Sequence, residues 1–86
     1  MFFVYILQSI KNGRLYVGQT NNIKNRLRRH NKGLCSSTKY WRPWILIYLE
    51  VFSTRSQAIA REKYLKSLKS HMALLSYAKR NKRSSR

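Results

Sequence analysis

In the stretch GRLYVGQTNNIKNRLRRHN, residues 13–31, Tyr16 and Gly18 sit in a strand-like run, and Arg26 and His30 follow one helical turn apart. An earlier aromatic run supplies Tyr5, and a later amphipathic run supplies Glu62. Hydrolysis of a phosphodiester needs a group that binds the phosphate, a group that takes a proton from the attacking water, and usually a metal held by carboxylate oxygens. Carboxylates are the scarce component here. Glu50 and Glu62 are the two acids among 86 residues, and there is no aspartate. Chemistries that rely on acidic clusters to hold two metals are therefore excluded by count, and a site with one protein carboxylate survives.

Each candidate also has a plain structural reading. His30 on an apolar helix face suits a packing residue. Arg26 taken alone is a solvated or phosphate-binding arginine. Tyr5 and Tyr16 suit strand aromatics with their hydroxyls at a sheet edge. Glu62, flanked by Arg61, Lys63 and Lys66, suits a helical ion pair, and Glu50, inside a strand pattern, a structural role. Taken singly, none of these residues decides between the two readings.

The elements that must position them follow from periodicity and turn chemistry. Phe2 to Leu7 is a nearly continuous apolar run, as expected of a strand buried on both faces. Lys11-Asn12-Gly13 predicts a hairpin turn, with both Asn12 and Gly13 tolerant of positive φ, and Arg14 to Gln19 its antiparallel partner. Thr20, Asn21 and Asn22 offer caps for a helix from Ile23 to about Lys32, stopped by Gly33. On that helix Ile23, Leu27 and His30 share one arc with Arg26 at its edge, while Lys24, Arg28 and Arg29 point elsewhere. Residues 33–43 read as a loop, and Pro43 limits the start of a strand from Trp44 to Phe52. Thr54 and Gln57 stand at capping-box spacing for a helix to about Lys69. Glu62 falls at the margin of its apolar arc, and Ser70 caps a third helix ending at Tyr77 or Ala78. The order β-β-α-β-α-α defines a small α/β (α+β) domain over residues 1–78, with a three-stranded mixed or antiparallel sheet flanked by helices. Residues 79–86 read as a basic, flexible tail.

With 19 Lys plus Arg against 2 acids, the formal charge is +17. Self-repulsion on that scale has to be offset by a polyanionic partner or tolerated. Nucleic acid is the first candidate and an anionic membrane surface the second, although no apolar run approaches the roughly 18 residues of a spanning helix. No basic segment precedes the N-terminal apolar run, which is unlike a signal peptide. A cytoplasmic protein is expected, with nucleoid association open. Cys35, the lone cysteine, excludes an internal disulfide framework and a cysteine-rich zinc site.

In combination the residues are more specific. Phe3-Val4-Tyr5, Tyr16-Val17-Gly18, Arg26, His30 and Glu62, in this order on these predicted elements, resemble the GIY-YIG endonuclease superfamily over residues 2 to about 75. The small standalone members are the nearest likeness, with Lys39-Tyr40 and Arg42-Pro43 matching a loop of theirs. Phe3 replaces the first glycine of the motif, and no late asparagine that supports the site in many relatives is found before Asn81. The resemblance implies a catalytic set of Tyr5, Tyr16, Arg26, His30 and Glu62. Glu62 would hold one Mg²⁺ or Mn²⁺ ion, with water in its other positions, and Arg26 would stabilise phosphate charge. Tyr16 would be the general base, helped by a lowered pKa or a proton relay. Tyr5 and His30 would orient or relay protons, and Gly18 would allow close approach.

The charge explains salt-sensitive attraction to phosphates but not selectivity. The loop SSTKYWRPW interleaves Lys39 and Arg42 with Tyr40 and Trp41, a combination that stacks bases while neutralising backbone, whereas Trp44 and Tyr48 read as core. The expectation is a DNA endonuclease with little sequence specificity that favours single-stranded or branched DNA and uses no small-molecule substrate. Three alternatives stand beside it: a noncatalytic DNA- or RNA-binding module of the same fold, a ribosome-associated protein with RNA as partner, and a membrane-surface protein.

Overall fold

Alternation along the first strand sets the architecture. In β1 (Phe2–Ser9), Val4 and Ile6 face one side of the sheet and Tyr5 and Leu7 the other, and all four are buried. A period of two with both phases buried requires a layer on each face and a neighbour on each edge. The computed structural model, which describes residues 1–81, has that arrangement. β1 is central, and β2 (Leu15–Thr20) and β3 (Trp44–Phe52) both pair with it antiparallel, in the order β2-β1-β3. β2 and β3 therefore run in the same direction on either side of β1. The helix that joins them, α1 (Ile23–Asn31), crosses one face of the sheet in a split β-α-β unit.

Tyr5, Leu7 and Trp44 form the core under α1, closed by Tyr16, Ile23, Leu27, Trp41 and Leu49. The opposite face is covered by α2 (Arg55–Ser67) and α3 (His71–Arg80). There Val4, Ile6, Val17 and Tyr48 meet Ala58 and Leu65 of α2 and Leu74, Tyr77 and Ala78 of α3. The fold class read from the sequence holds, with the sheet entirely antiparallel. A register shift between Ile6 and Leu7 leaves an extra residue in β3. It brings Glu50 opposite Val4, on the α2 side, where its carboxylate accepts from Arg61 at 2.9 Å and from the Tyr48 hydroxyl. Arg61 also donates to the Tyr77 hydroxyl, so Glu50 sits in a half-buried network that ties β3 to α2 and α3.

The caps are those the residue types favour. The Asn22 side chain accepts from the Asn25 amide, Thr54 and Gln57 form a complete capping box, and Ser70 accepts from the Ala73 amide. Gly33 stops α1 in a left-handed conformation, φ +78°, with Leu34 N–H on Arg29 O and Gly33 N–H on His30 O, the paired bonds of a Schellman cap.

Four details differ from the sequence expectation. In the hairpin only Gly13 takes positive φ; Asn12 does not, because the connection spans residues 10–13 and the Ser9 hydroxyl accepts from the Lys11 and Asn12 amides. The loop over residues 33–43 contains a short 3-10 turn at Lys39–Trp41. α2 ends at Ser67 rather than Lys69, where Leu68 turns inward onto the core. α3 continues through Lys79 and Arg80, cations that suit the negative end of a helix dipole, so the tail does not begin at residue 79. The rest of the tail, residues 82–86, lies outside the described residues.

Candidate active site

Four of the predicted residues converge on the face of the sheet beneath α1. Tyr5 lies opposite Gly18 across the β1–β2 pairing, and two apolar anchors of α1, Ile23 and Leu27, hold the helix on the strands below it. His30, in the last turn of α1, is 1% exposed. Its Nε2 is 3.0 Å from the Tyr5 hydroxyl, and its Nδ1 is 2.8 Å from Thr38 Oγ1. The Tyr16 ring packs edge-on to the His30 ring at 5.0 Å and tilted to Tyr5 at 6.3 Å. The half-buried Arg26 lies close enough for its charge to act on the Tyr5 hydroxyl.

The electrostatics of this cluster follow from its dryness and its arginines. Burial, reinforced by Tyr16, pushes the Tyr5 phenol well above its usual range, and Arg26 only partly opposes this. Burial also lowers the His30 pKa, and the Arg26 and Arg29 charges lower it further. Tyr5 and His30 are thus both held neutral at physiological pH. Tyr5 is 1% exposed, whereas Tyr16 is half-buried, so of the two phenols Tyr16 is the one that meets solvent.

Gly18 is required by Tyr5. A Cβ on Gly18 would lie 2.5 Å from the Tyr5 hydroxyl oxygen and 2.7 Å from Cζ. The close approach anticipated at this glycine is made by the neighbouring tyrosine.

Glu62 stands apart. It lies on α2, which packs on the opposite face of the sheet, and its carboxylate pairs with Lys66 at 2.9 Å. Among the described residues no hydrogen bond or ion pair joins it to the tyrosine–histidine cluster. Its direction can be placed, because successive helical residues are about 100° apart. Ala58 and Leu65 face the sheet and Arg61 reaches toward β3 and Glu50, so Glu62 falls on the flank of α2 away from Arg61. Gln19 belongs to β2 beside Gly18, and its buried amide oxygen has no hydrogen-bond partner among the described residues.

The loop residues surround the cluster unevenly. Tyr40 is 66% exposed, with Lys39 Nζ 5.1 Å from its ring centre. Trp41 is half-buried, packs on the core under α1, and carries the Arg14 guanidinium over its ring at 4.4 Å. Arg42 is exposed and folds over Gly33. Trp44 and Tyr48 are core residues, as expected. Thr38 is the functional neighbour that sequence reasoning missed. It is 1% exposed and bonded to His30, yet in the run SSTKY nothing separates it from solvated loop hydroxyls.

The described residues contain no group of three or more His, Cys, Asp or Glu that would chelate a metal. They also contain no helix long and apolar enough to cross a membrane.

The GIY-YIG catalytic domain matches residues 1–75. Relatives include a UPF0213 protein of Bacillus licheniformis, 45% identical over 69 residues that cover 77% of this chain and 68% of the relative. A UPF0213 protein of Clostridium perfringens is 44% identical over 71 residues, covering 79% and 73%. Another, from Staphylococcus haemolyticus, is 41% identical over 66 residues, covering 76% and 79%. No solved structure matches the chain. With the motif residues on the predicted elements and the family matched over nearly the whole described chain, this protein belongs to the GIY-YIG catalytic domain family, a nuclease superfamily.

Proposed function

We propose that the protein is a metal-dependent DNA endonuclease that hydrolyses phosphodiester bonds at a one-metal site, with little sequence specificity and a preference for single-stranded or branched DNA. The observation that carries this is the dry Tyr5–His30 hydrogen bond with Arg26 beside it and Tyr16 at its solvent side. A packing histidine needs none of these partners in register.

Arg26 binds the phosphate, because a guanidinium stays charged and offers a planar fork of donors to phosphate oxygens. Tyr16 takes the proton of the attacking water. It is the accessible phenol, whereas Tyr5 is closed off from solvent. Tyr5 and His30 orient this machinery, Tyr5 by fixing Arg26 and His30 by fixing Tyr5. Glu62 would hold the divalent metal, Mg²⁺ or Mn²⁺, which supplies Lewis-acid polarisation of the phosphate when bound. One carboxylate, outside any group of three or more metal-ligating side chains among the described residues, suits a hard cation that keeps most of its water. For Glu62 to share a phosphate with the cluster, the phosphate would have to lie at an edge of the sheet, because α2 and α1 cover opposite faces.

Selectivity rests on the loop. Tyr40 presents an open ring with Lys39 beside it, suited to an unpaired base next to its phosphate, and Arg42 extends the basic track. Trp41, with one ring face under Arg14, contributes a cationic ledge more than a stacking surface.

A noncatalytic DNA- or RNA-binding module of the same fold is the second reading, favoured by the Glu62–Lys66 ion pair, which occupies the carboxylate that a metal needs. Wild type, Glu62→Ala and Arg26→Ala should be compared on a 5′-labelled panel of single-stranded, duplex, flap and junction DNAs and a single-stranded RNA, in Mg²⁺ or Mn²⁺. Cleavage by wild type alone is expected. Binding by all three without cleavage establishes the module instead, and equal cutting of plain duplex removes the structural preference.

A further inference from the structure

We infer that Thr38 is a positioning residue that locks His30 as the tautomer protonated on Nδ1, so that Nε2 offers its lone pair to Tyr5. This rests on the nuclease reading for its catalytic consequence but not for its geometry.

The assignment follows from the proton of Tyr5. The Tyr5 hydroxyl is buried, with His30 Nε2 at 3.0 Å as its hydrogen-bond partner and the Arg26 charge beside it. A guanidinium only donates. The Tyr5 proton therefore has one acceptor, Nε2, and a nitrogen that accepts carries no proton. Burial together with Arg26 and Arg29 disfavours the doubly protonated ring, so the single imidazole proton sits on Nδ1. There it donates to Thr38 Oγ1 at 2.8 Å. Thr38 in turn sends its own proton to the Cys35 carbonyl at 3.3 Å. Every proton along Tyr5, His30 and Thr38 then has one direction, inward from the site.

Thr38 is itself held rigidly. Its amide bonds Cys35 O at 3.1 Å, and its carbonyl accepts the buried Trp44 indole N–H at 3.0 Å. Trp44 is fixed at the start of β3 by Asn31, whose side chain bonds both its amide and its carbonyl. The threonine hydroxyl is thereby placed by the sheet and by α1 together.

The consequence is at Arg26. With the Tyr5 proton committed to His30, the lone pairs of Tyr5 are left to face the Arg26 charge, which favours the guanidinium in place for phosphate. Without an acceptor at Thr38, Nδ1–H would be buried and unsatisfied, which removes the preference for Nδ1 and lets the proton populate Nε2. Nε2–H would then donate to Tyr5, and the Tyr5 proton would turn outward against Arg26.

Long-range ¹H–¹⁵N spectra of the His30 ring in the full chain test this directly. Wild type and Thr38→Ser should show a protonated Nδ1 and an unprotonated Nε2, and Thr38→Val should show the reverse or a mixture. Cleavage of the best DNA substrate should fall about 10- to 100-fold in Thr38→Val, the scale seen when a functional histidine loses its orienting partner, and recover in Thr38→Ser. Wild type protonated on Nε2, or Thr38→Val still protonated on Nδ1, overturns the lock. A reversed tautomer with unchanged cleavage overturns the positioning role. If Thr38→Val does not fold, the wild-type and Thr38→Ser spectra still decide the lock, and Thr38→Ser with wild-type spectra but lost cleavage refutes the role. If wild type cuts nothing, the nuclease reading fails while the spectra still decide the tautomer.

Discussion

Replacing Gly18 by alanine should damage the protein through Tyr5 and not through the backbone. Gly18 has no positive φ, so alanine fits its conformation; the obstacle is the 2.5 Å and 2.7 Å approach of the new Cβ to the Tyr5 hydroxyl and Cζ. An ordinary contact begins at 3.4 Å, so the hydroxyl must retreat by about 0.9 Å and Cζ by about 0.7 Å. The ring cannot yield freely, because it is 1% exposed and tethered to His30 at 3.0 Å. Overpacking of a tight core costs about 1–3 kcal/mol, and breaking the buried hydrogen bond adds roughly 1–3 kcal/mol. The sum, about 2–6 kcal/mol, is large against the whole stability of a small domain. The assay is urea unfolding of the double-mutant cycle Gly18→Ala and Tyr5→Phe. Phenylalanine removes the nearest atom and the tether together, so in that background Gly18→Ala should cost only about 1–2 kcal/mol, a coupling of about 1–3 kcal/mol. An equal cost in both backgrounds would refute the assignment of Gly18 to the Tyr5 hydroxyl.

Further outcomes are expected. His30 has its pKa lowered from 6.5 by burial and by Arg26 and Arg29, so the stability contributed by its neutral form is in place above that value and is lost as pH falls through the folded value. Unfolding free energy should therefore drop in wild type as pH falls below about 6.5 and stay flatter in His30→Gln; parallel profiles for the two proteins would count against an imidazole held neutral by burial. Leu65→Ala, at a fully buried contact of α2 with the sheet, should cost about 2–5 kcal/mol, and Thr54→Ala, which opens the capping box, about 1 kcal/mol, both read by denaturant titration. Tyr40→Ala should weaken single-stranded DNA by about 1–3 kcal/mol and duplex less. Arg42→Ala should instead lower the salt slope of binding by about 0.7 for single strands, as measured by fluorescence anisotropy; an unchanged slope would place Arg42 off the phosphate track.

Much of the fold is written in local chemistry. The fully apolar first strand reads as central because only a central strand buries both phases. Asn22, Gly33, the Thr54/Gln57 pair and Ser70 mark helix ends because the orphan groups there have few ways of being satisfied. The boundaries that differ are those where a distant contact overrides the local signal: Ser9 organising the hairpin, Leu68 drawn onto the core, and α3 carried on through Arg80.

The site divides along the same line. By itself the sequence determined that two protein carboxylates are too few for an acidic two-metal cluster, that a charge of +17 makes a polyanion the first candidate partner, and that His30 lies on the inner arc of the first helix with Arg26 at its edge. Those are matters of count and of helical period. Only the tertiary structure decided which phenol is sealed and which is open, that Gly18 exists for the Tyr5 ring, and that Glu62 lies across the sheet from the tyrosines. It alone brought Thr38 from an unremarkable loop to within hydrogen-bonding distance of His30. The physical reason is that spacing along a chain fixes only which side of its own element a residue occupies. Which partner it meets there is set by how α1, the loop after it and β3 pack over β1, and no single segment contains that information.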